Sequence, residues 1–98
     1  IVGGMRIDEP AADLGIICAV ASAFKNKDIA PDIALIGEVG LTGELRAVNQ
    51  IDKRLNEMKK LGFSKCIIPE SNKRGLAPPK DLTIYYAKNV GSALQLLF

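Results

Sequence analysis

Any chemistry in this chain must be done without histidine, which is absent. That removes the commonest general base and the commonest zinc ligand. The remaining candidates are carboxylates, two thiols and a few hydroxyls. Asp8, Glu9, Asp13, Glu38 and Glu44 are the acids that a fold could gather into a metal or acid–base site, but their spacing alone does not gather them. Asp8 and Glu9 also suit a helix start, where negative charge favours the helix dipole. Cys18 and Cys66 are isolated thiols in apolar runs. They read as buried, reduced cysteines, and two cysteines without histidine make no zinc site.

Gly37, Gly40 and Gly43 invite a phosphate-loop reading. Neither G-x-x-x-x-G-K-[ST] nor G-x-G-x-x-G is present, so these glycines are expected to supply positive φ around a turn. Lys53, Arg54, Lys59 and Lys60, with Lys73 and Arg74 further on, read as a solvated face or as phosphate contacts. A net charge of +2 does not choose between the two.

The elements that would position these groups follow from pattern. Residues 1–7 read as a strand loosened by Gly3-Gly4. Asp8-Glu9-Pro10 is a helix-start signal, and nearly every residue of 11–24 is small or apolar, which predicts a buried helix. In it Gly15, Ala19 and Ala23 form a small-residue ridge for close packing. Residues 33–39 predict a central strand, 40–43 a turn, and 44–48 a second strand antiparallel to the first. Asn49 is expected to cap the next helix, with Asp52 completing a capping box. Ile51, Leu55, Met58 and Leu61 would be that helix's apolar stripe, and Gly62 its end. Residues 65–69 and 82–87 read as strands, 70–79 as a polar loop, and 90–98 as a last helix capped by Asn89. This alternation predicts an α/β domain with helices packed on a small mixed sheet. At 98 residues, 48% of them hydrophobic, the chain can build one core. No apolar run reaches the length of a membrane span. The chain opens without Met, as a piece of a longer protein would.

Three segments occur in order: Glu9-Pro10-Ala11-Ala12, then Gly37-Glu38-Val39-Gly40-Leu41-Thr42-Gly43-Glu44-Leu45, then Ile51-Asp52-Lys53-Arg54. Lys60-Leu61-Gly62-Phe63 and Ile67-Ile68-Pro69 follow. Together they resemble the frame of the Lon-type Ser-Lys peptidase domain, in the form found in the RadA (Sms) family of bacterial DNA repair and recombination proteins. The resemblance covers the whole chain and implies a Lon proteolytic-domain-like fold. It aligns Ala11 with the nucleophilic serine and Asp52 with the lysine base. A methyl cannot attack a carbonyl, and a carboxylate cannot supply the amine. Lys53 is no substitute, since one residue along a helix turns a side chain by about 100°. Ser22, Ser64, Ser71 and Ser92 do not match the motif.

The resemblance therefore implies a peptidase-inactive scaffold with no cofactor or metal of its own. It would support ring assembly as a homo-oligomer, and would add a DNA-binding face. The longer, cytoplasmic protein would bring an ATPase core using ATP and Mg, a zinc finger, and ATP-driven branch migration. The alternative is an active or cryptic Lon-family Ser-Lys peptidase domain.

Overall fold

The computed structural model describes residues 9–98. The expected strand at 1–7, and Asp8, lie outside them. Three helices and five strands follow in order: α1 (Asp13–Lys25), β1 (Ile33–Leu35), β2 (Glu38–Val39), β3 (Leu45–Arg46), α2 (Ile51–Lys60), β4 (Lys65–Pro69), β5 (Thr83–Ala87) and α3 (Val90–Leu97). Short 3-10 turns, Pro10–Ala12 and Glu70–Asn72, precede α1 and follow β4.

Within the described residues β4 is the centre of a parallel sheet ordered β1-β4-β5, with Ile67 opposite both Leu35 and Tyr85. Cys66, Ile67, Ile68 and Pro69 are all buried. That continuous apolar run is what a strand covered on both faces requires. Its alternate residues enter two different cores. Cys66 and Ile68 join Leu55 of α2. Ile67 joins Leu14 and Cys18 of α1 and Ala93 of α3. The result is three layers, α2 on one side and α1 with α3 on the other. Both strand directions of the expected mixed sheet are present, but in two sheets, because β2 and β3 pair antiparallel as a separate ribbon.

Four local expectations need correction. First, residues 33–39 are not one central strand. After β1 the chain turns away at Gly37, whose N–H donates to the carbonyl of Ala11 at 2.9 Å, and β2 begins the ribbon. Second, α1 is not buried all round. Leu14 and Cys18 are fully covered, whereas Val20 is 64% and Phe24 92% exposed. Among the described residues only one side of this helix has a sheet to pack on. The small-residue ridge is not a packing seam either: Ala19 and Ala23 are exposed.

Third, Asn49 does not cap α2. Gln50 takes the N-cap in a left-handed conformation (φ 53°) without a side-chain cap bond. The capping box lies instead at α3, where Asn89 Oδ1 accepts from the Ser92 N–H at 2.8 Å and Ser92 Oγ accepts from the Asn89 N–H at 3.2 Å. Along α2 the predicted stripe holds at Leu55, Ile51 and Met58 but not at Leu61, which is 63% exposed. Fourth, of the three glycines at 37, 40 and 43, only Gly43 uses positive φ (85°). Gly62 ends α2 as expected, with φ 97°. Its N–H donates to the carbonyl of Lys59, and that of Phe63 to Met58, a Schellman closure.

Candidate functional site

Five residues from the segments that carry the family resemblance, Glu9, Pro10, Ala11, Glu38 and Arg54, meet around a cleft of ≈ 280 Å³ between the start of α1, the ribbon and the start of α2. Ala11, Glu9, Glu38, Val48, Asn49 and Arg54 are among those lining it.

Ala11 sits in the 3-10 turn and is 6% exposed. The Glu9 side chain caps this turn, accepting from the Ala11 N–H at 3.3 Å. Gly37 fastens the next stretch: its N–H binds Ala11, and its carbonyl accepts from the Leu14 N–H at 3.0 Å. Asp13 is part of the same clamp. Its Oδ2 accepts from the Val39 N–H at 3.1 Å, which fixes β2 to the first turn of α1. The Ala11 backbone is thus hydrogen-bonded on both sides, and its side chain presents a methyl group to the cleft.

The other wall is organised by Arg54. Its guanidinium lies 2.8 Å from Glu9 Oε1. Nη2 donates to Asn49 Oδ1 at 2.7 Å and Nε to the Asn49 carbonyl at 2.8 Å. This fork explains why Asn49 fails as a cap: its amide oxygen is taken by a residue one turn into α2. It also changes the reading of Arg54, which bridges the cleft rather than extending freely as a phosphate ligand. Asp52 is exposed and is not among the residues lining the cleft.

Asn72 was missed from sequence, although it braces Val48 of the cleft wall from behind. Its Oδ1 accepts from the Val48 N–H and its Nδ2 donates to the Val48 carbonyl, both at 3.0 Å. The amide thus imitates a neighbouring strand for a backbone that leaves the ribbon after β3. Asn–amide mimicry of this kind leaves no pattern in a single sequence, because the partners stand 24 positions apart.

The acids are not gathered. Glu9 pairs with Arg54, Asp13 with Val39, and Glu44 with Thr42 of its own turn. The Thr42 hydroxyl, its backbone and the nearby Arg46 hold the Glu44 carboxyl below the usual range. Asp32 is likewise lowered, chiefly by the Ser64 hydroxyl that donates to it at 2.7 Å. Among the described residues no three His, Cys, Asp or Glu side chains come together as metal ligands. Cys18 and Cys66 are free and buried. Burial raises the Cys18 thiol and pushes Cys66 up to about 12. The serine hydroxyls of Ser22 and Ser92 go to the Lys27 carbonyl and the α3 cap.

Of the basic candidates, Lys53, Lys59 and Lys60 are exposed on α2, and Lys73 and Arg74 on the loop after β4. The Lys73 ammonium lies over the Tyr86 ring, 5.0 Å from its centre. No helix among the described residues is long and apolar enough to cross a membrane.

Residues 2–98 match the family described as Lon protease (S16) C-terminal proteolytic domain. The chain is 46% identical over 96 residues to the DNA repair protein RadA of Halalkalibacterium halodurans, covering 98% of this chain and 21% of that protein. It is 44% identical over 95 residues to the Bacillus subtilis protein of the same name, covering 97% and 21%. For that of Streptococcus pneumoniae the identity is 41% over 96 residues, covering 98% and 23%. The chain therefore spans between 21% and 23% of the length of these curated relatives.

Proposed function

The chain belongs to the Lon protease (S16) C-terminal proteolytic domain family, and we propose that it is a non-catalytic scaffold within a RadA-type, ATP-dependent DNA repair and recombination protein. The observation that carries this reading is Ala11, a buried methyl in a cleft wall where the family's chemistry needs a hydroxyl. Asp52 on the exposed side of α2 adds to it, since a carboxylate cannot serve as the amine of a Ser-Lys pair. Arg54, which pairs with Glu9 across the cleft beside Ala11, presents no amine or hydroxyl to take the missing roles.

In this reading the domain keeps the frame and assembles the longer protein as a homo-oligomeric ring in the cytoplasm. ATP, Mg and Zn belong to the rest of that protein, including its ATPase core. The DNA face is the exposed basic side of α2, namely Lys53, Lys59 and Lys60, with Lys73 and Arg74 adding to it. Each lysine that neutralises a phosphate should contribute about 0.9 to the salt slope. A ring would make many such weak faces act together on one duplex.

The test of inactivity is incubation of the chain with unfolded casein and with a serine-reactive fluorophosphonate probe. Neither cleavage nor labelling above a denatured control is expected, and either would favour a cryptic peptidase. Ala11→Ser with Asp52→Lys should remain inert, because charge stabilisation and positioning are separate requirements. The scaffold role is tested by light scattering on the longer protein with and without this domain; rings of equal size and stability in both would refute it. Fluorescence anisotropy at two salt concentrations, with Lys53, Lys59 and Lys60 changed to Ala together, tests the DNA face. An unchanged salt slope would remove α2 from it.

A further inference from the structure

Among the described residues the parallel sheet ends at β5, and the outer edge of this strand is only partly occupied. The Thr83 N–H donates to the Ser64 carbonyl at 2.9 Å, so the backbone of Thr83 faces β4. Backbone direction alternates along a strand, which turns the N–H and C=O of Ile84 and Tyr86 outward. Just beyond β5 the same edge is taken. The Lys88 carbonyl accepts from the Leu45 N–H and the Val90 N–H donates to the Gly43 carbonyl, both at 2.9 Å. The chain runs antiparallel there, with Glu44 opposite Asn89. It then departs, because Asn72 holds the Val48 backbone. No backbone group of the described residues pairs with Ile84 or Tyr86 on the outer side.

Lysines frame this open stretch. Lys80 precedes β5, Lys88 follows it, and the Lys73 ammonium lies over the Tyr86 ring. All three are exposed. No ion pair between described residues includes Lys73, Lys80 or the neighbouring Asp81. Lys88 has only Glu70, at 3.9 Å between exposed side chains, a contact that water screens strongly. Such lysines keep an edge from pairing with its own kind. An antiparallel pair of two β5 strands would set the Lys80 end of one copy against the Lys88 end of the other, and like charges opposed across a ladder destabilise it. The same lysines favour a strand of opposite charge.

We infer that the Ile84–Tyr86 edge binds an extended acidic segment of another protein by strand addition, antiparallel to β5. Ile84 and Tyr86 each exchange two hydrogen bonds with the residue opposite. A residue opposite Tyr86 shares its face of the sheet, so an Asp or Glu there meets the Lys73 ammonium. Acids toward the ends of the segment meet Lys80 and Lys88. Duplex DNA fits this edge less well, because phosphate oxygens accept hydrogen bonds and leave both outward carbonyls without a donor.

Fluorescence anisotropy and amide hydrogen exchange of this chain test it, with a short labelled peptide alternating Glu and Val as the probe. Binding should weaken with salt, and exchange at the Ile84 and Tyr86 amides should slow. Methylating the peptide's own nitrogens separates strand addition from charge attraction and leaves the protein unaltered. Methylation at the Glu nitrogens, which face β5, should abolish binding, and methylation at the Val nitrogens should spare it. Lys80→Ala and Lys88→Ala should each weaken binding by up to about fivefold, with thermal melts matching the unaltered chain. A peptide that does not bind overturns the proposal. So does equal binding of the two methylated forms, or of a peptide alternating Lys and Val. Slowed exchange at the same amides on concentrating the chain alone would assign the edge to a second copy. The same effect from duplex DNA would assign it to nucleic acid, and either result overturns the proposal too. The scaffold reading stands or falls separately, on the rings of the longer protein.

Discussion

Replacing Arg54 by Met removes the guanidinium and keeps most of the apolar stem, so it tests directly whether this residue organises the cleft. Its partners set the magnitude. The Glu9 side chain is 53% exposed and that of Arg54 25%. Solvent screening then limits the ion pair to about 0.2–1 kcal/mol despite its 2.8 Å separation. The two bonds to Asn49 are short and charge-assisted, but Asn49 is exposed. Water can replace the lost donor, so together they contribute about 0.5–1.5 kcal/mol. Arg54→Met should therefore cost about 1–2 kcal/mol.

Urea unfolding reads this cost. With a slope of about 1 kcal/mol/M for a domain of this size, the midpoint should fall by about 1–2 M. Glu9→Gln keeps an oxygen for the Ala11 N–H and should lose only the ion pair. A double-mutant cycle should give a coupling of about 0.2–1 kcal/mol, shrinking in molar salt, where the Debye length is about 3 Å. The Asn49 contribution should persist there. An unchanged midpoint for Arg54→Met, or strictly additive single changes, would refute the bridge. Arg54 would then rejoin Lys53, Lys59 and Lys60 as a candidate for phosphate.

Asn72→Ala should cost about 1–3 kcal/mol by leaving both polar groups of the nearly buried Val48 backbone without their partner; a melting temperature equal to that of the unaltered chain would show that the clasp is dispensable. The Cys66 thiol, raised to about 12 by burial, is protonated in the folded state where the unfolded thiol, near 8.5, has ionised. Its contribution is complete below about 8.5 and is lost as pH rises toward 12, by about 1.4 kcal/mol per pH unit. Cys66→Ala should flatten stability between pH 9 and 11 (about two units of this range), and an identical slope in both proteins would contradict the assignment. At Gly40 an added Cβ would fall 2.1 Å from the Glu44 carboxylate. Gly40→Ala should displace that carboxylate from Thr42 and raise the Glu44 pKa toward its ordinary value, which a side-chain carboxyl NMR titration would reveal; an unshifted titration would mean that the turn keeps its bonds.

The sequence by itself determined whatever depends on near neighbours. The run Cys66-Ile67-Ile68-Pro69 is apolar on both faces and specifies a buried strand wherever it packs. Asn89 with Ser92 three positions on is a complete capping box. Gly62 closes α2 because a left-handed residue is needed after its last turn. The absence of histidine and the types of Ala11 and Asp52 were likewise open to reading, since residue identity limits chemistry before any folding. What only the tertiary structure decided depends on pairs far apart in the chain. Residues 11–24 are nearly all small or apolar, yet Val20 and Phe24 are exposed, because burial depends on whether a second surface exists and not on the helix alone. Asn49 and Asn89 look alike as caps. They differ because Arg54 folds back toward Glu9 and claims the Asn49 amide, a competition across 45 residues that no local window contains. Gly37 looks like a turn glycine, but its backbone joins β1 to the start of α1. Asn72 looks like a loop residue, and it serves as a strand's worth of hydrogen bonds for Val48. Each of these outcomes is set by which partner reaches a polar group first in three dimensions, and sequence spacing does not encode that distance.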